Sequence, residues 1–535
     1  MSIFPKLKFR NFTSPSKSHA ISKNGIVATS HPLASQLGID MLKDGANAAD
    51  AAIAMSIVLC FVEPHMTGIG GDCFALISKS GKTKDITVLN ASGYTGENYN
   101  LNYFLDNKIK NIDSLSPHAV TIPGAIAGWK ELHDNFGAYK WKEIFDIAID
   151  VVKDGVLINE RVSQDWKNNE NKLLENNETK NIFIKGHSAY KHLDNFKNND
   201  LVNTLKIISE EGKDGFYQGF IADNILNTLN DLGGLHSAED FSKYKPVWER
   251  PIKFDYNKFT IYEAPPNGQG VVVFFILELL KQFDLKNLLK SEYYHIYVEA
   301  VKIAYSLRDQ FLGDPDYQKL DLMNLIEENV IKNYANKINL NHASEIKISD
   351  FPEHKDTVYL TVKDKNGMII SFINSLFDQF GSSITVPKTG ILLHCRGKSF
   401  SLKAGHPNQI FKRKRPLHTI IPGMIGQNQN IVGSFGVMGG HYQAAGHAFI
   451  LSQILDFCLS PQCALDLPRI YPNNGTLDIE GNFDLDLIEE LKNKGHKVNY
   501  PALPIGGGQI IINNIDNGIS IGASDWRKDG IALGL

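Results

Sequence analysis

In "HKDTVYLTV", residues 354–362, the side chain that could do chemistry is the hydroxyl of Thr357. Such a hydroxyl is a poor nucleophile until a base takes its proton, and a threonine that begins a chain brings its own base, the free α-amine. That amine has an ordinary pKa of about 8, so a useful fraction is neutral at cellular pH and within reach of its own Oγ. The device requires cleavage between Asp356 and Thr357. The chain offers a route: Thr357 Oγ attacks the Asp356 carbonyl, the amide shifts to an ester, and water opens it. "SDFPEHKD", with Pro352 restricting Phe351, is a loop that could hold the bond under strain. Threonine is also a good strand former, and this window alone reads first as a strand start.

The elements around Thr357 decide what it faces. Residues 357–363 and 368–375 flank "DKNG", which predicts a hairpin closed by a type I turn with Gly367 at positive φ. A loop of residues 365–367 sets Ser375 opposite Thr357, whereas a two-residue loop would set Leu376 there. Upstream, "HPLASQLGIDMLKDGANAADAAIAMSIVLCFVEP" predicts two helices, the first stopped by Gly45 and the second Ala-rich and buried. "HMTGIGGDCFALISKSGKTKDITVLNAS" then predicts strand, polar turn and strand. Residues from about 117 to 235 read as mainly helical, with "NNENKLLENNETKN" as polar surface or a mobile loop. "FTIYEAPPNGQGVVVFFILELLKQF" repeats strand, turn and buried helix, and from "HASEIKISDFPEHKD" onward the chain turns strand-rich. The pattern is mixed α and β without βαβ alternation.

Bulk properties exclude several function classes. The 535 residues are 43% hydrophobic and 21% charged, a soluble globular composition long enough for more than one core. Lys plus Arg number 55 against 59 Asp plus Glu, a net charge of −4, so the chain has no general attraction for nucleic acid or acidic membranes. The basic run "FKRKRPLHT" lacks aromatic platforms and reads as a solvated loop or local anion contact. Five cysteines without CxxC spacing signal neither a disulfide framework nor a zinc site. The N-terminal residues 1–24 read as a polar tail without a signal-peptide apolar stretch. A cytoplasmic location is the expectation, periplasmic if the start is truncated.

Seven distinct blocks stand in order from about residue 25 to the end. They are "ATSHPLASQLGIDMLKDGANAADAAIA" with "TGIGGDCFAL", "IPGAIAGW", "HKDTVYLTVKDKNG", "TGILLHCRG", "GHPN" with "KRPLHTIIP", "GVMGGHYQAAGH" and "GASDWRKDG". Together they resemble the γ-glutamyltransferase (glutathione hydrolase) family, two-subunit enzymes of the N-terminal-nucleophile hydrolase fold. The resemblance implies that Thr357 is the nucleophile and new N-terminus, and that Ser375 is the hydroxyl residue bonded to it. Gly439 and Gly440 match the glycine pair whose amides form the oxyanion hole, where a side chain would obstruct close approach.

The substrate contacts depart from the family pattern. Where the family has a carboxylate-binding arginine, this chain has "LNASGYTG", with Ser92 and Tyr94 nearby. The family's ammonium-binding aspartate corresponds to Ser399, and Arg396 brings positive charge three residues earlier. The family's two serines after "KRPL" fall on His418 and Thr419; His418 reads first as a histidine bonded to a loop carbonyl and second as a substrate contact. Residues 391–400, with Cys395 and Arg396, are expected to form a lid.

The resemblance implies an α+β four-layer αββα sandwich, with the helix pair of residues 33–60 and the helices of residues 441–466 outside two stacked sheets. After autocleavage, residues 25–356 and 357–535 would be the large and small portions of one intertwined domain. The expected activity is amide hydrolysis or acyl transfer through an acyl-enzyme, with γ-glutamyl compounds such as glutathione as the default substrate. Alternatives are an amidohydrolase on another small acyl amide, such as oxamate or an acylated β-lactam side chain, and an uncleaved, non-catalytic binding relative. The expected partners are a small-molecule amide, water or an amine acceptor, and the two fragments themselves, in a higher oligomer or not. No nucleic acid, membrane, metal or organic cofactor is implied.

Overall fold

The computed structural model describes residues 4–13, 15–317, 321–346 and 357–535. Two seven-stranded antiparallel sheets lie face to face between helical layers. The first sheet runs Ile531–Gly534, Gly25–Thr29, Val358–Asp364, Ile369–Ser375, Asp72–Ser78, Ile86–Ala91 and Val247–Glu249. The second runs Ala20–Ser22, Ser520–Ser524, Gly507–Asn513, Asn430–Met438, Gly423–Gln427, Phe259–Glu263 and Ile252–Tyr256. Strands from before and after Thr357 interleave in both sheets, so neither part could bury its strand edges alone. This is the αββα sandwich expected.

The helix pair follows its sequence signals. Helix Pro32–Asp44 starts with His31 accepting from Leu33 N and Pro32 in the first turn, and stops at Gly45 with φ 106°. Helix Ala48–Val62 is buried at every position, and an Asn47–Asp50 capping box satisfies its start. A Cβ on Gly38 would come 2.5 Å from Met55 Sδ, so glycine there allows the two helices to pack this closely. Each fully buried side chain such as Ile53, Ile57 or Phe61 contributes roughly 1.5–3 kcal/mol of transfer free energy. This pair covers the first sheet, while helices Gly270–Lys281, Lys290–Phe311 and Tyr442–Leu455 cover the second.

Polar contacts join the sheets where Thr357 will sit. Thr361 Oγ1 meets Ser434 Oγ at 2.5 Å across the interface. A Cβ on Gly436 would lie 2.3 Å from the Tyr359 ring, so glycine there lets the tyrosine fit between the layers.

The hairpin has the expected register. Val358 pairs with Asn374 and Lys363 with Ile369, Gly367 has φ 95°, and its N–H donates to Asp364 O. Continuing that register sets Ser375 opposite Thr357.

Two expectations change. "NNENKLLENNETKN" is not a loop: it forms helices Glu170–Leu174 and Asn177–Phe183, anchored by buried Leu173, Thr179 and Phe183. Thr179 Oγ1 donates to Ser383 O, and Lys172 donates to Gln379 O and Gly381 O. The N-terminal residues are also docked rather than trailing: Leu7 is buried and Ala20–Ser22 forms a sheet edge. Among the described residues, no helix is long and apolar enough to cross a membrane.

Candidate active site

Thr357 stands at the head of the Val358–Asp364 strand, fully buried. Its hydroxyl donates to Ser375 Oγ at 3.2 Å, and Gln443 Nε2 donates to Thr357 Oγ1 at 3.2 Å. Gln443 is fixed in turn by accepting from Ile421 N at 3.2 Å. Ser375 Oγ also accepts from Phe377 N at 2.9 Å and from Arg396 Nη2 at 3.3 Å. The Phe377 contact holds a bulky residue at φ 80°, a backbone state costing about 1–3 kcal/mol that persists only under such constraint.

Gly439 and Gly440 end the Asn430–Met438 strand at φ 122° and 60°, just ahead of the Tyr442–Leu455 helix. A Cβ on Gly439 would come 2.9 Å from Gly506 Cα. Gly439 O accepts from Tyr442 N, and Gly440 O accepts from Gln443 N and from Gln269 Nε2. Because N–H opposes C=O across a trans peptide, the Gly440 and His441 amides point away from the groups their neighbouring carbonyls accept. Gln269 Nε2 also donates to Thr419 O at 2.9 Å, tying this turn to the "LHT" segment.

A buried charge cluster lies behind Ser375. Arg396 donates through Nη1 to Thr419 Oγ1 at 3.1 Å, and its guanidinium lies 4.2 Å over the Phe377 ring. Asp72 Oδ2 is 4.0 Å from Arg396 Nε and 3.1 Å from His418 Nε2; Asp72 Oδ1 accepts from Gly93 N and Gly124 N. Burial pushes His418 down to about 3, reinforced by the Arg396 charge, so the imidazole is neutral and donates through Nε2. Its Nδ1 lone pair has no partner among the described residues. His394, with Nε2 on Thr121 O, is also lowered by burial. Burial works against the Asp72 carboxylate, but neighbouring His394, the hydrogen bond from His418 and, least of these, Arg396 outweigh it and hold it below the usual range. Burial lowers Arg396 to about 10, still a cation at neutral pH.

A family model described as gamma-glutamyltranspeptidase matches residues 34–535. The chain belongs to the gamma-glutamyltranspeptidase family. It is 32% identical over 528 residues to the "Glutathione hydrolase-like YwrD proenzyme" of Bacillus subtilis, covering 96% of this chain and 99% of that one. It is 31% identical over 534 residues to the glutathione hydrolase proenzyme of Escherichia coli, covering 95% and 91%. The crystal structure of a cephalosporin acylase from Bacillus halodurans is similar with a TM-score of 0.91 at 31% identity over 98% of both chains.

Within this gamma-glutamyltranspeptidase-family fold, Thr357, Ser375, Arg396 and Thr419 form one continuous hydrogen-bond chain. Asp356 lies outside the described residues. His418 does not bond a loop carbonyl through its side chain as one expectation had it; a buried carboxylate, Asp72, takes that proton. Ser399 Oγ contacts the Arg396 and Leu417 carbonyls, which makes it a brace for the Arg396 turn. Tyr94 packs on Tyr244 with Arg415 over its ring, and among the described residues no hydrogen bond joins its side chain to the Thr357 network. In residues 391–400, expected to form a lid, Ile391 to Gly397 are buried, with His394 N donating to Gly70 O, as the apolar "ILL" run favours. The basic run makes local contacts, Lys412 and Arg413 with Glu97 and Arg415 N with Asp314.

Sequence reasoning missed Asp72, Gln443 and Gln269. Asp72 had a signal, a lone acid inside the apolar strand of "GGDCFAL". Gln443 had only its position three residues after the glycine pair.

Away from this site, His295, Glu299 and His496 bring potential metal-ligand atoms together. Their donors are otherwise engaged: His295 meets His496 at 2.8 Å and Asn339 O at 2.7 Å, and Glu299 takes Lys302 Nζ at 2.8 Å. An ion there would have to displace an ammonium. The cysteines are unpaired, and burial raises Cys395 to about 12.

Proposed function

We propose that this chain is an amide-bond hydrolase and acyltransferase working through an acyl-enzyme on Thr357, which scission of the Asp356–Thr357 bond makes an N-terminal residue. The observation that carries the reading is the setting of Thr357 Oγ1, held between Ser375 Oγ and Gln443 Nε2 at the head of a central strand. A strand-forming threonine needs neither partner. The names of two relatives as proenzymes support maturation by cleavage.

In the mature protein the Thr357 amine takes the Oγ proton as Oγ attacks the substrate carbonyl. The oxyanion is stabilised by amides of the Gly439–Gly440 turn, which are fixed in place before the reaction. The proton passes to the departing amine, leaving an ester on Thr357. Attack by water releases the acid, and attack by an amine gives transfer, with Oγ regaining its proton in either case. Residues 25–356 and 357–535 then form the two portions of one domain.

Family membership makes a γ-glutamyl group the default acyl unit. A second reading, an amide of another small acid, is favoured by a specific observation: Ser399 stands for the expected aspartate and is spent on carbonyls, while Arg396 occupies the site.

Denaturing electrophoresis and N-terminal sequencing test the reading. Two fragments, the smaller beginning Thr-Val-Tyr-Leu, are expected, with Thr357→Ala uncut and inactive. A single band whose binding properties match those of Thr357→Ala would overturn it in favour of an uncleaved binding protein.

A further inference from the structure

Arg396 is fully buried beside the proposed nucleophile and poorly paired for an arginine. Of the five N–H bonds of a guanidinium, one goes to Thr419 and one to Ser375; Nε has no partner among the described residues. Asp72 offsets part of the charge from 4.0 Å, beyond hydrogen-bond distance. A buried cation is ordinarily matched by a bidentate anion, because desolvation otherwise outweighs what its contacts return. Phe377 lies beneath the guanidinium plane, and among the described residues three of its five N–H groups have no hydrogen-bond acceptor.

We infer that the missing anion is a carboxylate on the substrate's acyl group, held by Arg396, so that the substrates are mono-amides of short dicarboxylic acids. The inference rests on acylation of Thr357 as read above. Ser375 Oγ touches both Thr357 Oγ1 at 3.2 Å and Arg396 Nη2 at 3.3 Å, so guanidinium and nucleophile are no farther apart than two hydrogen bonds end to end. With attack distances of about 3–3.5 Å and charge-assisted bonds of about 2.8 Å, a spacer of roughly zero to three methylenes joins carbonyl to carboxylate.

The same cluster disfavours an added α-ammonium. Among the described residues Asp72 is the nearer carboxylate to Arg396, and its oxygens already accept from Gly93, Gly124 and His418. Neutral His418 offers one lone pair and no charge. An ammonium beside Arg396 would meet a like charge, and of the described carboxylates that act on Arg396, Asp72 is engaged by His418 and Asp378 by Lys398 at 2.8 Å. The acyl group is thus carboxyacyl, of the oxalyl, succinyl or glutaryl kind, rather than aminoacyl.

The test uses the mature, two-fragment protein and three p-nitroanilides of equal chain length: glutaryl, pentanoyl and γ-glutamyl. Glutaryl is expected to exceed pentanoyl in kcat/KM by about 10- to 100-fold, the worth of hydrogen bonds to a charged group, and to exceed γ-glutamyl by about tenfold or more. Arg396→Gln should bring the glutaryl-to-pentanoyl ratio close to one, chiefly by raising KM for glutaryl. Arg396→Lys should restore part of it. Should these variants fail to fold, the parent ratio decides alone, with free glutarate expected to compete more strongly than pentanoate. A cut, active protein that ignores the carboxylate, prefers γ-glutamyl, or keeps its ratio in Arg396→Gln overturns the role of Arg396 only. An uncut protein that turns over no anilide overturns the acylation itself.

Discussion

Gln443 Nε2 donates to Thr357 Oγ1 at 3.2 Å, which joins the helix behind the second sheet to the leading residue of a strand in the first. The contact crosses the two halves of the sandwich at the proposed nucleophile. In the proposed reaction it gives an N–H to the oxygen that would be the leaving group when the acyl ester breaks.

Gln443→Leu is therefore expected to slow release of the acyl group more than its formation. One hydrogen bond of about 1–2 kcal/mol corresponds to a loss of roughly 5- to 30-fold. Rapid-mixing kinetics on an anilide should show a larger burst of nitroaniline followed by a slower steady rate. An unchanged burst with a uniformly lowered rate would assign Gln443 to packing instead.

Ser375 gathers three donors, from Thr357, Phe377 and Arg396. Ser375→Ala leaves a buried backbone N–H without its acceptor, at a cost of about 1–3 kcal/mol. Chemical denaturation should report that loss, with kcat falling and Ser375→Thr retaining part of both.

At φ 122°, with Gly506 Cα 2.9 Å from any added Cβ, Gly439 has no room for a side chain. Gly439→Ala is expected to lower kcat by two orders of magnitude or more, about 2.7 kcal/mol of transition-state stabilisation. KM should change much less, since the turn acts on the developing oxyanion and not on the bound amide.

Acid should destabilise the fold well above the carboxylate range. Burial pushes His31 and His418 down to about 3, His236 to about 4 and His496 to about 3. Below about pH 6.5 the unfolded chain protonates these groups while the folded chain does not. Stability they contribute above pH 6.5 is lost as pH falls from there towards 3–4. Near pH 5 unfolding should take up about four protons from these residues, read as the slope of unfolding free energy against pH. His418→Asn should reduce that slope by about one proton.

The hairpin was legible because its turn is local, but "DKNG" allowed two loop lengths, and only the observed register, Val358 with Asn374, sets Ser375 rather than Leu376 opposite Thr357. The helix pair was legible for the same reason, its caps and stop lying within a few residues of each end. The Asn/Lys-rich interval was read as polar surface or loop, and polar surface is what it is, carried on two short helices that buried Leu173, Thr179 and Phe183 pin in place. The depth of residues 391–397 was not legible, since position in a motif says nothing about how deeply a segment is buried.

By itself the sequence determined the family, the layered architecture and the candidate nucleophile with its cross-strand partner, all of which depend on ordered blocks or short-range turns. Only the tertiary structure decided that Asp72 binds His418 and flanks Arg396, and that Gln443 reaches Thr357. Those contacts join residues 346, 324 and 86 positions apart. A buried charge or amide takes whichever partner the packed sheets bring within about 3–4 Å, and no periodicity along the chain records that choice.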